Sequence, residues 1–263
     1  MLRKLLKYDL LYIFKFLIIF YSLAVFFGLL TRIFFGFENS FVLEVLGEIT
    51  TGATISMMCS ILINNLMRMW VRFSHNFYGD ESYLTHTLPI DKHTHYFSKI
   101  LTSVIALLTS IAVIGGVIAL AYYSKENLAL VKNLLLPVAN VYDTSIVAVL
   151  AALLFILFLQ FLNILQCGFT GIIIGHKMNG AKTGLSVLFG FIIYMLSQIF
   201  AVAIIFIVGL FNDKVMNLFA TTTTVDIATI KMIIYVSIGI YTVLSVIICI
   251  VNIYLFKKGV DVD

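Results

Sequence analysis

Six long apolar runs dominate this chain and restrict it to a membrane architecture. The sequence is 62% hydrophobic and only 11% charged, whereas soluble domains carry about a quarter charged residues. About 20 mostly apolar residues cross the bilayer core as a helix, and the alternation typical of an outer-membrane barrel is absent. We therefore predict an all-α membrane protein with six transmembrane helices, at about residues 14–37, 47–69, 100–123, 146–174, 185–211 and 231–256.

The lysines and arginines between these runs predict the orientation, because cytoplasmic loops carry an excess of them. With both termini in the cytoplasm, five of the 17 basic residues fall outside: Arg32, Lys125, Lys132, Lys214 and Lys231. The other twelve fall inside: Arg3, Lys4, Lys7, Lys15, Arg68, Arg72, Lys92, Lys99, Lys177, Lys182, Lys257 and Lys258. We expect cytoplasmic termini and assign the net charge of +4 to topology rather than to nucleic-acid binding.

Three segments outside the runs have their own patterns. Residues 1–12 alternate leucines with charged residues at helical spacing, which predicts an amphipathic interfacial helix on the inner leaflet; the alternative is a positively flanked start of the first span. Residues 124–144 hold Pro137 and scattered charge, and we expect them to be irregular. Residues 212–230 alternate apolar and hydroxyl residues, which favours a short helix or re-entrant segment dipping into the outer interface.

The one long polar segment runs from Arg68 to Lys99 and is cytoplasmic in this topology. Asp80 and Glu81 would complement the dipole at the start of a short helix over 79–88. Pro89 would end that helix, because the residue before a proline is pushed out of the helical region. Asp91 then offers an N-cap for a helix that continues into the third span. The residues alone fit either a compact helix–break–helix projection or a solvated connector.

The stretch FYGDESYLTHTLPIDKHTHYFSKIL resembles the segment between the second and third spans of ABC type-2 exporter permeases. The shared pattern is an acidic short helix (Asp80, Glu81), then Leu88–Pro89, then Ser98–Lys99–Ile100–Leu101 leading into the third span. About 25 residues resemble that family at the level of motifs. The topology also resembles it over the whole chain, which would make residues 1–263 a single permease domain.

The resemblance implies that residues 79–88 form a coupling helix seated in a groove of a separate cytoplasmic ATPase. Tyr83, Leu84, His86 and Leu88 would face the ATPase, and Asp80, Glu81 and Pro89 complete the implied docking segment. Residues 1–12 would resemble the family's interfacial connecting helix. Two ATPases and two permeases, either copies of this chain or homologous subunits, would form the exporter. This chain would not be an enzyme and would bind no cofactor, because ATP and Mg²⁺ would bind the partner.

Other candidate motifs are weak. The stretch from Gly175 to Thr183 nearly matches the phosphate-binding G-x-x-x-x-G-K-[ST] loop, but Ala181 breaks its spacing and it joins two spans rather than a strand and a helix. The histidines of the polar segment lack metal-site spacing, and a metal site is not predicted. Three cysteines within apolar runs indicate buried small side chains rather than disulfides, namely Cys59, Cys167 and Cys249.

Polar residues inside the fourth span form a stripe. Gln160, Asn163 and Gln166 recur at every third position, each turned by about 60° from the one before at 100° per residue, so they span a sector of about 120°. Polar groups in spans are costly and often functional, so the stripe is a candidate translocation path. Interhelical hydrogen bonding is the alternative, and Gly168, Gly171 and Gly175 on the same helix favour it.

These patterns predict a permease subunit of an ATP-driven exporter in the plasma membrane of a bacterium. Its aromatic-rich spans, with 23 Phe and 13 Tyr in the chain, suit a hydrophobic or amphipathic substrate such as a peptide, drug or lipid-like molecule. The alternative is a non-transporting membrane anchor, assembly or immunity protein, which needs no chemistry. An intramembrane enzyme or a secondary transporter is disfavoured, because intramembrane charges and inverted repeats are not evident.

Overall fold

The computed structural model describes residues 2–36, 41–79, 81–87, 90–141, 144–178, 180–216 and 227–257. Within these ranges the regular structure is entirely α-helical. The helices are α1 (Leu2–Phe34), α2 (Phe41–Tyr78), α3 (Ser82–Thr87), α4 (Lys92–Tyr122), α5 (Lys125–Val141), α6 (Ile146–Gly175), α7 (Lys182–Leu210), α8 (Asp213–Met216) and α9 (Ile227–Lys257).

Six of the described helices are long and apolar enough to cross a membrane: α1, α2, α4, α6, α7 and α9. This confirms the predicted all-α architecture with six membrane-spanning candidates. The prediction for the fourth span, 146–174, agrees with α6 to one residue. The 38 residues of α2 correspond to about 57 Å, nearly twice the thickness of the hydrocarbon core. At least one end of α2 must therefore extend beyond the core.

The start of the chain differs from the predicted separate interfacial helix over residues 1–12. In the structure α1 is a single uninterrupted helix from Leu2 to Phe34. Asp9, which was expected on the polar face, is 3% exposed. Because no glycine or proline interrupts the sequence before Gly28, the intrahelical hydrogen bonds continue from the first turn into the apolar run.

Residues 124–144 were expected to be irregular, and that prediction was wrong for most of the segment. The structure has α5 there, with Pro137 inside it. Ser124 begins the helix as its cap, because its Oγ accepts a hydrogen bond of 3.0 Å from the amide of Asn127. The residues that follow are mainly leucine, alanine, lysine and glutamate, which are good helix formers, so propensity and capping outweigh the single proline.

The chain divides into two compact units, Met1–Leu128 and Ala129–Asp263. In the first unit α1 packs against both α2 and α4. Ala24, Ile61 and Val117, one from each of these helices, form its apolar core. A polar node joins the same helices: Asn65 Nδ2 donates to Ser110 Oγ at 2.8 Å, and this hydroxyl lies 2.9 Å from Tyr21 OH.

In the second unit α6 packs against α7 and α9. Ala201, Ile240 and Leu244 form an apolar cluster between α7 and α9. The approach of α6 to α7 is close enough to require glycine at Gly171, where a Cβ would lie 2.5 Å from the Ser186 carbonyl oxygen. Of the predicted membrane-dipping segment 212–230, residues 217–226 lie outside the described residues, and the described part contains α8 and the start of α9.

Candidate functional site

The short helix α3 lies between α2 and α4, inside the predicted coupling segment 79–88. Its described part is Ser82–Thr87, so it begins later than expected. The chain leaves α2 at Gly79, whose carbonyl accepts a hydrogen bond of 2.9 Å from the Ser82 amide. Asp91 occupies the N-cap position of α4 as predicted, although its side chain makes no capping hydrogen bond in the described structure.

One side of α3 is buried and the other presents apolar side chains. Ser82 is fully buried, whereas Tyr83 and Leu84 are 66% and 73% exposed. Asp80, Leu88 and Pro89 of the predicted docking segment lie outside the described residues, as does the side chain of His86. Of the predicted docking surface, the described residues therefore leave Tyr83, Leu84 and Glu81. We call the exposed side chains of Tyr83 and Leu84 the tip of α3, and Glu81, which precedes the helix, its base.

A chain of ion pairs connects the base of α3 to three long helices. Asp9 Oδ1 on α1 accepts from Lys99 Nζ on α4 at 2.6 Å and from Arg72 Nε on α2 at 3.2 Å. The other end of the Arg72 guanidinium reaches Glu81 Oε2 at 3.0 Å. We call Asp9, Arg72, Glu81 and Lys99 the ionic cluster. Its two acids and two bases balance in charge.

Burial differs sharply along the ionic cluster. The side chains of Asp9 and Lys99 are 5% and 7% exposed, while that of Glu81 is 53% exposed. Removing one partner of a buried ion pair leaves an uncompensated charge, and this typically costs about 3–5 kcal/mol. Exposed pairs contribute only about 0–1 kcal/mol. The Asp9 pairs therefore hold α1, α2 and α4 together, and the Glu81 pair is the weak member.

Each cation of the ionic cluster, and the neighbouring Arg68, lies near an aromatic ring. The guanidinium of Arg72 lies 4.5 Å from the ring centroid of Tyr12, and that of Arg68 lies 3.5 Å from the ring of Phe16. Such cation–π contacts contribute about 0.5–2 kcal/mol each. Lys99 Nζ is 5.7 Å from the Phe77 ring. The rings orient the charged groups and exclude water from the buried pairs, which strengthens those pairs.

Sequence reasoning did not find the ionic cluster. Arg72 and Lys99 were counted as basic residues that mark the cytoplasmic side, and Asp9 was one of the charged residues of the amphipathic pattern over 1–12. A signal was nevertheless present, because Asp9 is the only acidic residue among the first 37 and stands among basic ones. A lone acid next to a membrane span is costly unless it has a cationic partner.

The polar stripe of α6 forms hydrogen bonds between helices of the second unit. Asn163 Oδ1 accepts from Ser197 Oγ on α7 at 3.1 Å, and the Gln166 carbonyl oxygen accepts from Asn252 Nδ2 on α9 at 3.2 Å. Asn163 and Gln166 are buried, and Gln160 is half-buried. This geometry favours helix packing for the Asn163 side chain, whereas Gln166 takes part through its backbone, and the role of the stripe in a path stays a prediction.

Replacing Asn163 with leucine and Ser197 with alanine tests the packing role. Each change removes the same hydrogen bond, and such bonds contribute about 0.6 kcal/mol on average in membrane bundles. We expect each variant to lose stability by about this amount, and the double variant to lose less than the sum. Thermal unfolding of the purified chain in detergent measures this. Fully additive losses would show that the two side chains do not interact.

In the stretch that nearly matches a phosphate-binding loop, the side chains of Lys177 and His176 contact backbone carbonyl oxygens of helices. Lys177 Nζ donates to the Leu255 carbonyl oxygen at 2.7 Å, near the C-terminal end of α9, where a cation is favoured by the helix dipole. His176 Nδ1 lies 2.9 Å from the Ile172 carbonyl oxygen. Both side chains at the start of the loop are thus engaged with helix ends.

Among the described residues, no group of three or more His, Cys, Asp or Glu side chains is arranged to hold a metal ion. His95 is buried, with its ring 6.0 Å from that of Phe77. Comparisons with protein-family models, with curated proteins and with solved structures find no match for this chain.

Proposed function

We propose that this chain is the transmembrane permease subunit of an ATP-driven exporter. It works with a separate cytoplasmic ATPase and a second permease subunit, which is either a copy of this chain or a homologue. The proposed cargo is a hydrophobic or amphipathic molecule, such as a peptide, drug or lipid-like compound, moved outward across a bacterial plasma membrane. The observation that carries the proposal is the form of α3, with a base joined to the long helices by an ion pair and an exposed apolar tip.

The tip of α3 has the character of a protein-docking surface. Among the described residues, most exposed large apolar side chains belong to helices apolar enough to cross a membrane, where lipid would cover them. Tyr83 and Leu84 instead belong to the polar segment that the lysine and arginine distribution assigns to the cytoplasm. Apolar side chains on the water side of a short helix suit insertion into a partner's groove.

The base of α3 supports transmission of force. Arg72 joins Glu81 to Asp9, and Asp9 joins both α2 and α4 to α1. A push on α3 can therefore reach three long helices through Arg72. This is what the resemblance to exporter permeases requires of a coupling helix, since closure of the ATPases must tilt the spans.

Replacing Leu84 with glutamate tests the proposal. The genes next to that of this chain are searched for an ATPase with Walker motifs, and the chain is co-expressed with that candidate and purified in detergent. We expect the wild-type chain to retain the ATPase. We expect Leu84→Glu to reduce its recovery at least tenfold, because a hot-spot truncation costs about 2 kcal/mol or more and a charge in an apolar groove costs further desolvation.

Leu134→Glu is the matched control. Leu134 on α5 is 74% exposed, almost the same as Leu84 at 73%, but α5 lies in a segment predicted to be outside. We expect this variant to retain the ATPase at the wild-type level. Wild-type retention by Leu84→Glu contradicts docking through α3. If the wild-type chain retains no ATPase, the alternative of a non-transporting anchor, assembly or immunity protein replaces the exporter proposal.

A further inference from the structure

We propose that Arg72 and Glu81 are positioning residues that set the placement of α3 for docking. This inference rests on the proposed function and adds the residues that hold the docking helix. Neither residue has an apolar surface of its own to offer an ATPase groove. Their contribution comes from the geometry at the base of α3.

The guanidinium of Arg72 bridges two acids with different nitrogens. Nε donates to Asp9 Oδ1 at 3.2 Å and the terminal NH1 donates to Glu81 Oε2 at 3.0 Å. The Tyr12 ring, 4.5 Å away, restrains the plane of the guanidinium. A lysine has one nitrogen on a flexible stem and lacks this fork of donors. Arginine at this position therefore fixes where Glu81 can lie, and Ser82 follows Glu81 directly.

The two sides of this bridge differ in strength, and that difference suits a docking helix. Arg72 and Asp9 are 15% and 5% exposed at their side chains, whereas Glu81 is 53% exposed. Water screens the Glu81 pair far more than the Asp9 pair. The pair with Asp9 therefore holds the Arg72 side chain against α1. The pair with Glu81 is weaker, so α3 can adjust its position when a partner binds. Among the described side chains, no other ion pair connects α3 or Glu81 to the long helices.

Hydrogen exchange in the chain alone tests the placement without any ATPase. In lipid nanodiscs, the amides of 82–87 are compared between wild type, Glu81→Gln and Arg72→Lys. Because exposed ion pairs are weak, we expect about a two- to fivefold increase in exchange for Glu81→Gln. Arg72→Lys keeps the charge next to Asp9, so we expect it to fold and to show a similar increase.

The double variant separates a shared bridge from general loosening. Since both changes break the same contact, Glu81→Gln in the Arg72→Lys background is expected to add no further exchange. Glu126→Gln is the control, because Glu126 is an exposed acid at the start of α5 and its loss leaves the base of α3 intact. Unchanged exchange in Glu81→Gln, or additive effects in the double variant, overturns the inference.

Titration with the ATPase then connects placement to docking. We expect Glu81→Gln to weaken the apparent Kd by about the same two- to fivefold factor, with Glu126→Gln at the wild-type value. Faster exchange with an unchanged Kd overturns the role of Glu81 in docking and leaves the exporter proposal standing. If the wild-type chain does not bind the ATPase, both the exporter proposal and the docking role of Glu81 are overturned. Faster amide exchange in Glu81→Gln would in that case still show that the Arg72–Glu81 pair positions α3.

Discussion

Replacing Asp9 with alanine is expected to destabilise the chain by about 3–5 kcal/mol. The change leaves Lys99 without the carboxylate that lies 2.6 Å from its ammonium nitrogen, in a site where its side chain is 7% exposed. It also removes the inner partner of Arg72. Lys99 would then have to lose its proton or be solvated by opening the contacts among α1, α2 and α4, and Arg72 would keep only the exposed Glu81 as a partner. Equilibrium unfolding of the purified chain in mixed micelles measures the loss.

Two further variants show whether charge or general packing causes this loss. Lys7→Gln changes an exposed residue close to Asp9 in the first turns of α1 and is expected to leave stability within about 0.5 kcal/mol of wild type. Asp9→Asn combined with Lys99→Met removes both charges of the buried pair, and such joint replacements are often neutral or stabilising. We expect this double variant to recover most of the stability. If the Asp9→Ala variant is as stable as the Lys7→Gln variant, the structural role of the ionic cluster is refuted.

Replacing Gly171 with alanine is expected to have the second largest effect, a loss of about 3 kcal/mol. Overpacking typically costs about 1–3 kcal/mol and sometimes more. The upper end applies here because the added Cβ would lie 2.5 Å from the Ser186 carbonyl oxygen and 2.6 Å from the Gly190 Cα. These are backbone atoms of α7, which cannot rotate away as a side-chain tip can. The two helices would have to separate along their length.

Gly190 provides a matched control on the facing helix. A Cβ at Gly190 would lie 3.6 Å from the Gly168 Cα, its nearest neighbour, which is an ordinary contact distance. We therefore expect Gly190→Ala to be tolerated or slightly stabilising, since alanine favours the helix over glycine. Thermal unfolding of both variants in the same detergent gives the comparison. Equal melting temperatures for the two variants would show that the close approach of α6 and α7 at Gly171 does not occur.

Hydropathy and length were sufficient to predict the six long helices. In a bilayer, each apolar segment must satisfy its own backbone hydrogen bonds, so an apolar run of this length has no alternative to the helix. That constraint is local, which explains why 146–174 was predicted almost to the residue. It acts weakly outside the membrane core, and there the errors lie: α5 was missed, and α1 was divided where the structure is continuous.

The resemblance of motifs predicted a short helix in the region of α3 and the start of the third span near Lys99, but it did not predict which residues contact one another. Leu84 was predicted to face a partner. Its side chain is exposed in the structure, and its contact with a partner stays a prediction. The signal for α5 was readable in Ser124 and the leucine-rich sequence after it. The prediction gave Pro137 more importance than the capping residue Ser124 and the good helix formers that follow it.

Local hydrophobicity and backbone hydrogen bonding thus account for the six long apolar helices among the described residues, because both act residue by residue. The tertiary structure alone brought Asp9 to Arg72 and Lys99, which are 63 and 90 positions away. It also decided which glycine faces a neighbouring backbone. Both depend on the rotation and depth of packed helices, and these are set by contacts among many side chains that no local pattern encodes.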